Sequence, residues 1–299
     1  MGRELVARWP EAAAVFRTAD AVLGEPLSGL ILEGPEEDLR LTRNTQPALL
    51  TVSYAAWTVL SPRVPPPVAA AGHSLGEYSA LVAAGVLTFE DALRAVRLRG
   101  QAMQEAAPPG SGAMAAVIGL DPEAVARLCA ESREPDEVLT PANFNAPDQV
   151  VVAGHRPAVE RLAQRAPAAG AKRVMPLPVS APFHCALMQP AQIRLAEFLA
   201  RLAFGPAQFP VVVNVDASSI RGGDEARRKL VEQVTSPVRW VEVSRALERA
   251  HGAAVLVEIG AGRVLAGLTR RIHEQVKAVG FGVPDDLDRA VEAIGAAAG

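Results

Sequence analysis

Gly72-His73-Ser74-Leu75-Gly76 is the stretch of this sequence best suited to covalent chemistry. It follows a short apolar run, Val68-Ala69-Ala70-Ala71, that resembles a buried strand, and from Ser74 the pattern turns helical until Gly85. A serine flanked by glycines between strand and helix sits on a sharp turn that exposes its Oγ. There the helix dipole and the backbone N–H of Leu75 can stabilise a developing oxyanion. Ser74 is therefore a candidate nucleophile.

A serine nucleophile needs a base. His184, in Pro182-Phe183-His184-Cys185, is the candidate, although a lone histidine near an apolar strand end serves as readily as a structural residue. His73 adjoins the serine and is expected to point away from it, and His155, His251 and His273 lie in polar surroundings. Cys185 is a rival nucleophile on paper, but neighbours in an extended segment face opposite sides. It reads as a small buried residue. No third acid stands out. More than a third of the 299-residue chain follows His184, whereas α/β-hydrolases place their histidine close to the C-terminus. Two arginines, Arg97 and Arg99, lie on the shoulders of a helical stripe marked by Leu93, Val96, Gly100 and Met103. By periodicity either one reads as a solvated charge.

These residues must be positioned by a larger frame. Helices are expected over 3–23, over 47–60 with Pro47 at its start, and from a Thr88-x-x-Asp91 cap to about residue 106. Pro108-Pro109-Gly110 then breaks the chain. Strand at 113–118, helix at 122–131, strands at 138–144 and 149–153, helix at 157–169 and strand at 172–177 follow. This β-α-β-β-α-β order is ferredoxin-like. It suggests a small subdomain, 111–179, inserted into a larger α/β domain made of 1–110 and 180–299. Beyond it come helices near 188–203 and 224–235, a strand at 211–215, a helix ending near 250, and strand Val255–Ile259 leading into Gly260-Ala261-Gly262 and a helix. The alternation of strands and helices implies a mostly parallel sheet.

Composition narrows the function classes. Hydrophobic residues make up 49% and charged residues 21%, an ordinary globular balance that excludes disorder. Thirty basic against 33 acidic residues give a net charge of −3, scattered rather than clustered, which disfavours a nucleic-acid binder. No apolar run approaches membrane-spanning length and no signal-peptide layout opens the chain, so a cytoplasmic protein is expected. Two cysteines and five dispersed histidines show no disulfide framework or metal-ligand spacing, and no metal is expected.

The chain resembles the malonyl-CoA:acyl carrier protein transacylases and the related acyltransferase domains of fatty acid and polyketide synthases. The resemblance rests on Gln46-Pro47-Ala48-Leu49-Leu50, Gly72-His73-Ser74-Leu75-Gly76-Glu77-Tyr78, Arg97-Leu98-Arg99-Gly100-Gln101-Ala102-Met103, Asn143-Phe144-Asn145-Ala146-Pro147, Pro182-Phe183-His184-Cys185, Ser236-Pro237-Val238-Arg239-Trp240 and Glu258-Ile259-Gly260-Ala261-Gly262. It implies a hydrolase-like α/β domain with an inserted ferredoxin-like subdomain. It also implies Ser74 as nucleophile and His184 as base, oriented by the backbone carbonyl of Gln233. Arg99 would bind the substrate's free carboxylate, a pairing that suits a guanidinium fork. Gln46, Asn143 and Asn145 match positions lining or supporting the site, with turn capping as the alternative. Phe183 resembles the bulky residue of malonyl-selecting members, where a ring would disfavour an α-methyl branch.

The implied reaction is ping-pong transfer from malonyl-CoA to acyl carrier protein, with no cofactor and a monomeric enzyme. Carrier proteins of this kind are acidic, so Arg270 and Arg271 are candidates for docking. A serine thioesterase or hydrolase is the competing reading. Family members carry a strand and a Gly-Gln-Gly-Ser-Gln loop before the first helix, and Met1-Gly2-Arg3-Glu4-Leu5 already matches the segment after it. The expectation is a chain without that strand and loop, short of one oxyanion donor. That would reflect either a misassigned start or a short form that is weakly active or only docks carriers.

Overall fold

The computed structural model describes residues 1–108, 110–179 and 181–298. Pro109 of the expected break and Ser180 of the expected domain boundary lie outside the described residues. The first expected helix is two, α1 (Arg3–Arg8) and α2 (Pro10–Leu23), because Pro10 has no N–H to continue the ladder and Trp9 is extended. Helices α3 (Leu27–Glu33) and α4 (Glu36–Leu39) follow, neither foreseen from the sequence.

Helix α5 (Thr42–Leu60) begins before Pro47, which lies inside it. A proline there offers no N–H to the carbonyl of Arg43, and Arg97 Nη1 donates to that carbonyl instead at 2.6 Å. Strand β1 (Ala70–Ala71), α6 (Gly76–Ala83) and α7 (Phe89–Glu105) come next, and Thr88 Oγ1 caps α7 by accepting the Asp91 N–H at 3.1 Å. Gly100 lets α7 lie against the first turn of α5, since a Cβ there would approach Arg43 Cα to 2.7 Å.

The next elements are β2 (Gly112–Ile118), α8 (Pro122–Ser132), β3 (Leu139–Ala146), β4 (Gln149–His155), α9 (Arg156–Arg165) and β5 (Arg173–Pro176). They build one antiparallel sheet in the order β3-β4-β2-β5. Val125, Leu128 and Leu162 of its helices share a core with Val117, Val150 and Val152 of its strands.

The remainder comprises α10 (Gln189–Leu199), β6 (Val211–Val212), β7 (Ser219–Ile220), α11 (Gly223–Gln233), α12 (Trp240–Arg249), β8 (Val255–Ile259), α13 (Val264–Ile272), β9 (Lys277–Phe281) and α14 (Leu287–Ala298). The expected mostly parallel sheet is instead divided. β6 pairs parallel with β1 and antiparallel with β7, while β8 and β9 form a separate parallel pair. The strands are short for local reasons. β1 is confined between three prolines and the Gly72 turn, and the Asn214 N–H just beyond β6 goes to a side chain rather than to a ladder. The largest core joins α2, α5, α6, α7, α10 and α11 through residues such as Leu50, Tyr78, Leu93, Leu195 and Leu230. Each such apolar side chain contributes roughly 1.5–3 kcal/mol on burial. Among the described residues no helix is long and apolar enough to cross a membrane.

Candidate active site

Ser74 occupies the turn between β1 and α6 with φ 51°, a left-handed conformation unusual for serine. Holding it there costs on the order of 1–3 kcal/mol, met by the packing around it. Gly72 makes the turn feasible, because a Cβ at that position would fall inside the backbone carbonyl of Gly76 and 2.6 Å from the Glu77 nitrogen. Gly72→Ala should therefore destabilise the fold by at least about 2 kcal/mol, read from urea unfolding. A shift under about 0.5 kcal/mol, typical of a free surface site, would contradict that geometry. The N–H groups of Gly76, Glu77 and Tyr78 are used within the turn, by the carbonyls of His73, Ser74 and Leu75. The N–H of Leu75 stands outside these bonds, in the position suited to an oxyanion.

His184 reaches the serine across 110 positions of sequence, with its Nε2 2.8 Å from Ser74 Oγ. Its Nδ1 lies 3.0 Å from the backbone carbonyl of Gln233. That carbonyl can only accept, so Nδ1 carries the proton and Nε2 is left to accept from the serine hydroxyl. His184 is also left-handed, with φ 61°. Burial and the nearby Arg99 charge hold its imidazole down to about 3, so it is an unprotonated base at neutral pH. Cys185 faces away from this pair and its thiol donates to the Pro182 carbonyl, while burial pushes it up to about 11.

Arg99 is buried, at 2% exposure, among the largest enclosed side chains in the protein. Its Nη1 donates to Gln46 Oε1 at 2.7 Å, and its Nη2 donates to Ser74 Oγ and to Gln233 Oε1 at 3.0 Å each. All three acceptors are uncharged, so an intact guanidinium charge stands beside the nucleophile. Arg97 is spent elsewhere, on the Arg43 carbonyl, Asn44 and Glu25. A cavity of about 220 Å³ opens over Ser74 and Arg99, walled by Gln46, Leu75, Met103 and Phe183.

Residues 1–285 match the model of the acyl transferase domain. The chain belongs to that family. This acyl transferase domain is 48% identical over 290 residues to the malonyl CoA-acyl carrier protein transacylase of Escherichia coli K12, covering 97% of this chain and 93% of that one. It is 42% identical to the protein of the same name from Bacillus subtilis, covering 98% and 92%. The solved acyl carrier protein S-malonyltransferase of Vibrio cholerae superposes with a TM-score of 0.94 at 46% identity, covering 97% and 94%. A malonyl-transacylase in complex with its type II PKS acyl-carrier protein superposes at 0.95 with 47% identity, covering 98% and 94%.

Within the acyl transferase domain the other expected residues are placed unevenly. Asn145 does not wall the cavity; its Oδ1 lies 2.8 Å from His73 Nε2. His73 itself was expected to point away from the site, yet it lines the cavity beside Ser74, with its ring 5.6 Å from that of Trp240. Asn143 is buried in β3, where it bridges to Val238, and it stands off the cavity. Arg270 and Arg271 end α13 at the surface, and Arg271 is engaged by Asp148 at 2.5 Å and by Gln149.

Sequence reasoning missed the support behind the serine. Asn214 Oδ1 accepts the Ser74 N–H at 2.7 Å and its Nδ2 donates to the Gly72 carbonyl at 2.8 Å, holding both ends of the turn. The Gln233 side chain donates to the Ser74 carbonyl at 3.0 Å and to Glu77 Oε2 at 2.9 Å. A signal existed for Asn214, a lone amide closing the apolar run Val211-Val212-Val213 at the end of a parallel strand, where α/β sites collect.

Proposed function

We propose that the protein transfers a malonyl group from malonyl-CoA to the phosphopantetheine thiol of acyl carrier protein, through a malonyl-Ser74 ester. The observation that carries this reading is the buried, positively charged Arg99 within hydrogen-bonding reach of Ser74 Oγ. A plain serine hydrolase needs the Ser74–His184 pair but has no use for a buried cation there. The names borne by the similar proteins point the same way.

In the first half-reaction His184 Nε2 takes the proton of Ser74 Oγ as that oxygen attacks the thioester carbon. The tetrahedral oxyanion is met by the Leu75 N–H and the dipole of α6. The C–S bond breaks, His184 returns the proton to the departing CoA thiol, and the malonyl carboxylate rests on Arg99. In the second half-reaction the carrier's thiol gives its proton to His184 and attacks the ester carbon, the acyl C–Oγ bond breaks, and His184 returns that proton to Ser74 Oγ. Nucleophile, base and carboxylate-binding cation are all side chains, so no cofactor is required. The Gln233 carbonyl orients the imidazole but stabilises imidazolium less than a carboxylate would. Phe183 narrows the cavity against an α-branched acyl group.

We assign 111–179 to an inserted ferredoxin-like subdomain and 1–110 with 180–299 to the catalytic domain, supported by the β3-β4-β2-β5 order. Carrier docking is assigned to the surface carrying Arg270 and Arg271. Because Arg271 is engaged by Asp148, Arg270 supplies the available charge. Arg270→Glu should raise the carrier's KM about three- to tenfold while leaving malonyl-Ser74 formation unchanged. An unaltered KM would remove Arg270 from the docking surface.

Intact-mass measurement after exposure to malonyl-CoA tests the whole reading. A malonyl adduct that passes to added carrier protein supports transfer. Free malonate without transfer would establish a hydrolase, and no adduct would overturn both.

A further inference from the structure

Glu77 lies directly behind the nucleophile turn and is fully buried, at 0% exposure. Its Oε2 accepts the Asn214 N–H at 2.8 Å and the Gln233 Nε2–H at 2.9 Å. Its Oε1 has no hydrogen-bond partner among the described residues. The Gln233 amide joins this carboxyl to the active-site cation, since its Oε1 accepts from Arg99 Nη2 at 3.0 Å while its Nε2 serves Glu77. The same residue's main-chain carbonyl orients His184. One glutamine thus touches the base through its backbone, and the cation and the buried acid through opposite ends of its side chain.

A buried carboxylate is costly without a compensating charge, and so is a buried guanidinium. The charge of Arg99 favours ionised Glu77 and the charge of Glu77 favours charged Arg99, with the neutral Gln233 amide bridging them. A second anion delivered to Arg99 changes that balance. Resting on the malonyl reading above, we propose that Glu77 is the counter-charge of Arg99 when no substrate is bound and becomes protonated from solvent when the acyl carboxylate occupies Arg99. Glu77 is a positioning residue, acting on the reaction through Gln233 and Arg99 rather than by touching substrate.

The surroundings of Glu77 fit this role. Burial pushes its carboxyl up to about 7, opposed by the hydrogen bonds from Gln233 and Asn214 and by the Arg99 charge, with Asp216 reinforcing the rise. Tyr78, the next residue on α6, is fully buried and pushed up, so it stays neutral. His184 is neutral as well. Among the described residues Arg99 is therefore the one positive charge favouring ionised Glu77, and a carboxylate paired with Arg99 cancels it. The sign follows. The acyl carboxylate raises Glu77 above about 7, so ligand binding is favoured with Glu77 protonated and weakens as pH rises beyond neutrality. Oε1, which lacks a partner, is the oxygen free to carry the proton without breaking the bonds to Asn214 and Gln233.

Calorimetric titration at pH 7.5 tests this in the Ser74→Ala background, where the thioester survives binding. Malonyl-CoA and acetyl-CoA are compared in two buffers of different ionisation enthalpy, which yields the protons exchanged by each. Malonyl-CoA should take up about half a proton more than acetyl-CoA. Its Kd should rise with pH above neutrality by up to about tenfold for each unit by which the ligand raises Glu77. In Ser74→Ala/Glu77→Gln the excess uptake and the added pH dependence should both vanish. Equal proton counts for the two ligands, or an excess that survives Glu77→Gln, overturns the proposal. The ligand comparison needs no change at Glu77, so it decides the matter even where Glu77→Gln fails to fold. Malonyl-CoA that binds without excess uptake refutes the counter-charge alone. Malonyl-CoA that binds no more tightly than acetyl-CoA refutes the malonyl reading with it.

Discussion

Ser74→Ala should remove acyl transfer almost completely, lowering the rate of carrier acylation at least about 10⁴-fold while leaving the fold in place. The size of the loss follows from the lack of a substitute. Cys185, adjacent to the base in sequence, is turned away with its thiol committed to the Pro182 carbonyl and pushed up to about 11. Without the serine, His184 could only activate water, in the cavity walled by Phe183 and Met103. The left-handed backbone at position 74 burdens alanine much as it burdens serine, so stability should move by less than about 1 kcal/mol. The measurements are label transfer from malonyl-CoA to carrier and a circular-dichroism melt of the same sample. Residual transfer within tenfold of the parent enzyme would place the nucleophile elsewhere.

Arg99→Ala carries the second large effect, and it is selective. A buried guanidinium that pairs with a carboxylate stabilises it by about 3–5 kcal/mol relative to a site with the partner removed. Malonyl transfer should therefore fall by about 10²–10⁴ in kcat/KM, whereas acetyl transfer, which brings no carboxylate, should stay within about threefold. Arg99→Lys should recover little. A single ammonium on a flexible stem cannot serve Gln46 on one side and Ser74 and Gln233 on the other, as the planar fork does. Parallel kcat/KM values for the two acyl-CoA substrates decide the point. An equal loss on both would mean that Arg99 supports the fold rather than the carboxylate.

Where local chemistry dictates local structure, the sequence was legible. Val255–Ile259 is a continuous apolar-rich run closed by Gly260, and it is a strand over those residues. Thr88 and Asp91 foretell the start of α7 because a cap acts within one turn. The glycines around Ser74 foretell a turn for the same reason. Arg99 shows where such reading ends without a family to compare. Arg97 and Arg99 flank one apolar stripe alike, and only the approach of α5 against Gly100 sends one to the surface cluster at Arg43 and the other inward. The Glu77–Asn214–Gln233 network was illegible for a related reason. Its partners are separated by up to 156 positions, so no window of sequence holds the compensation that makes burial of each tolerable. The division of the expected parallel sheet into two also depends on partners remote in the chain, since β1 is completed by β6, with Ala70 opposite Val211.

While the hydrogen bond from Arg99 Nη2 to Ser74 Oγ is in place, the nucleophile sits on a safety catch. In that state the serine oxygen spends a lone pair on a cation while its proton faces His184. An oxygen so engaged is a poor attacking group, whatever thioester drifts past. An incoming carboxylate is the ligand best able to draw the guanidinium away, and in doing so it releases the oxygen that will attack. On the malonyl reading, recognition of the acid group and arming of the serine would be one event.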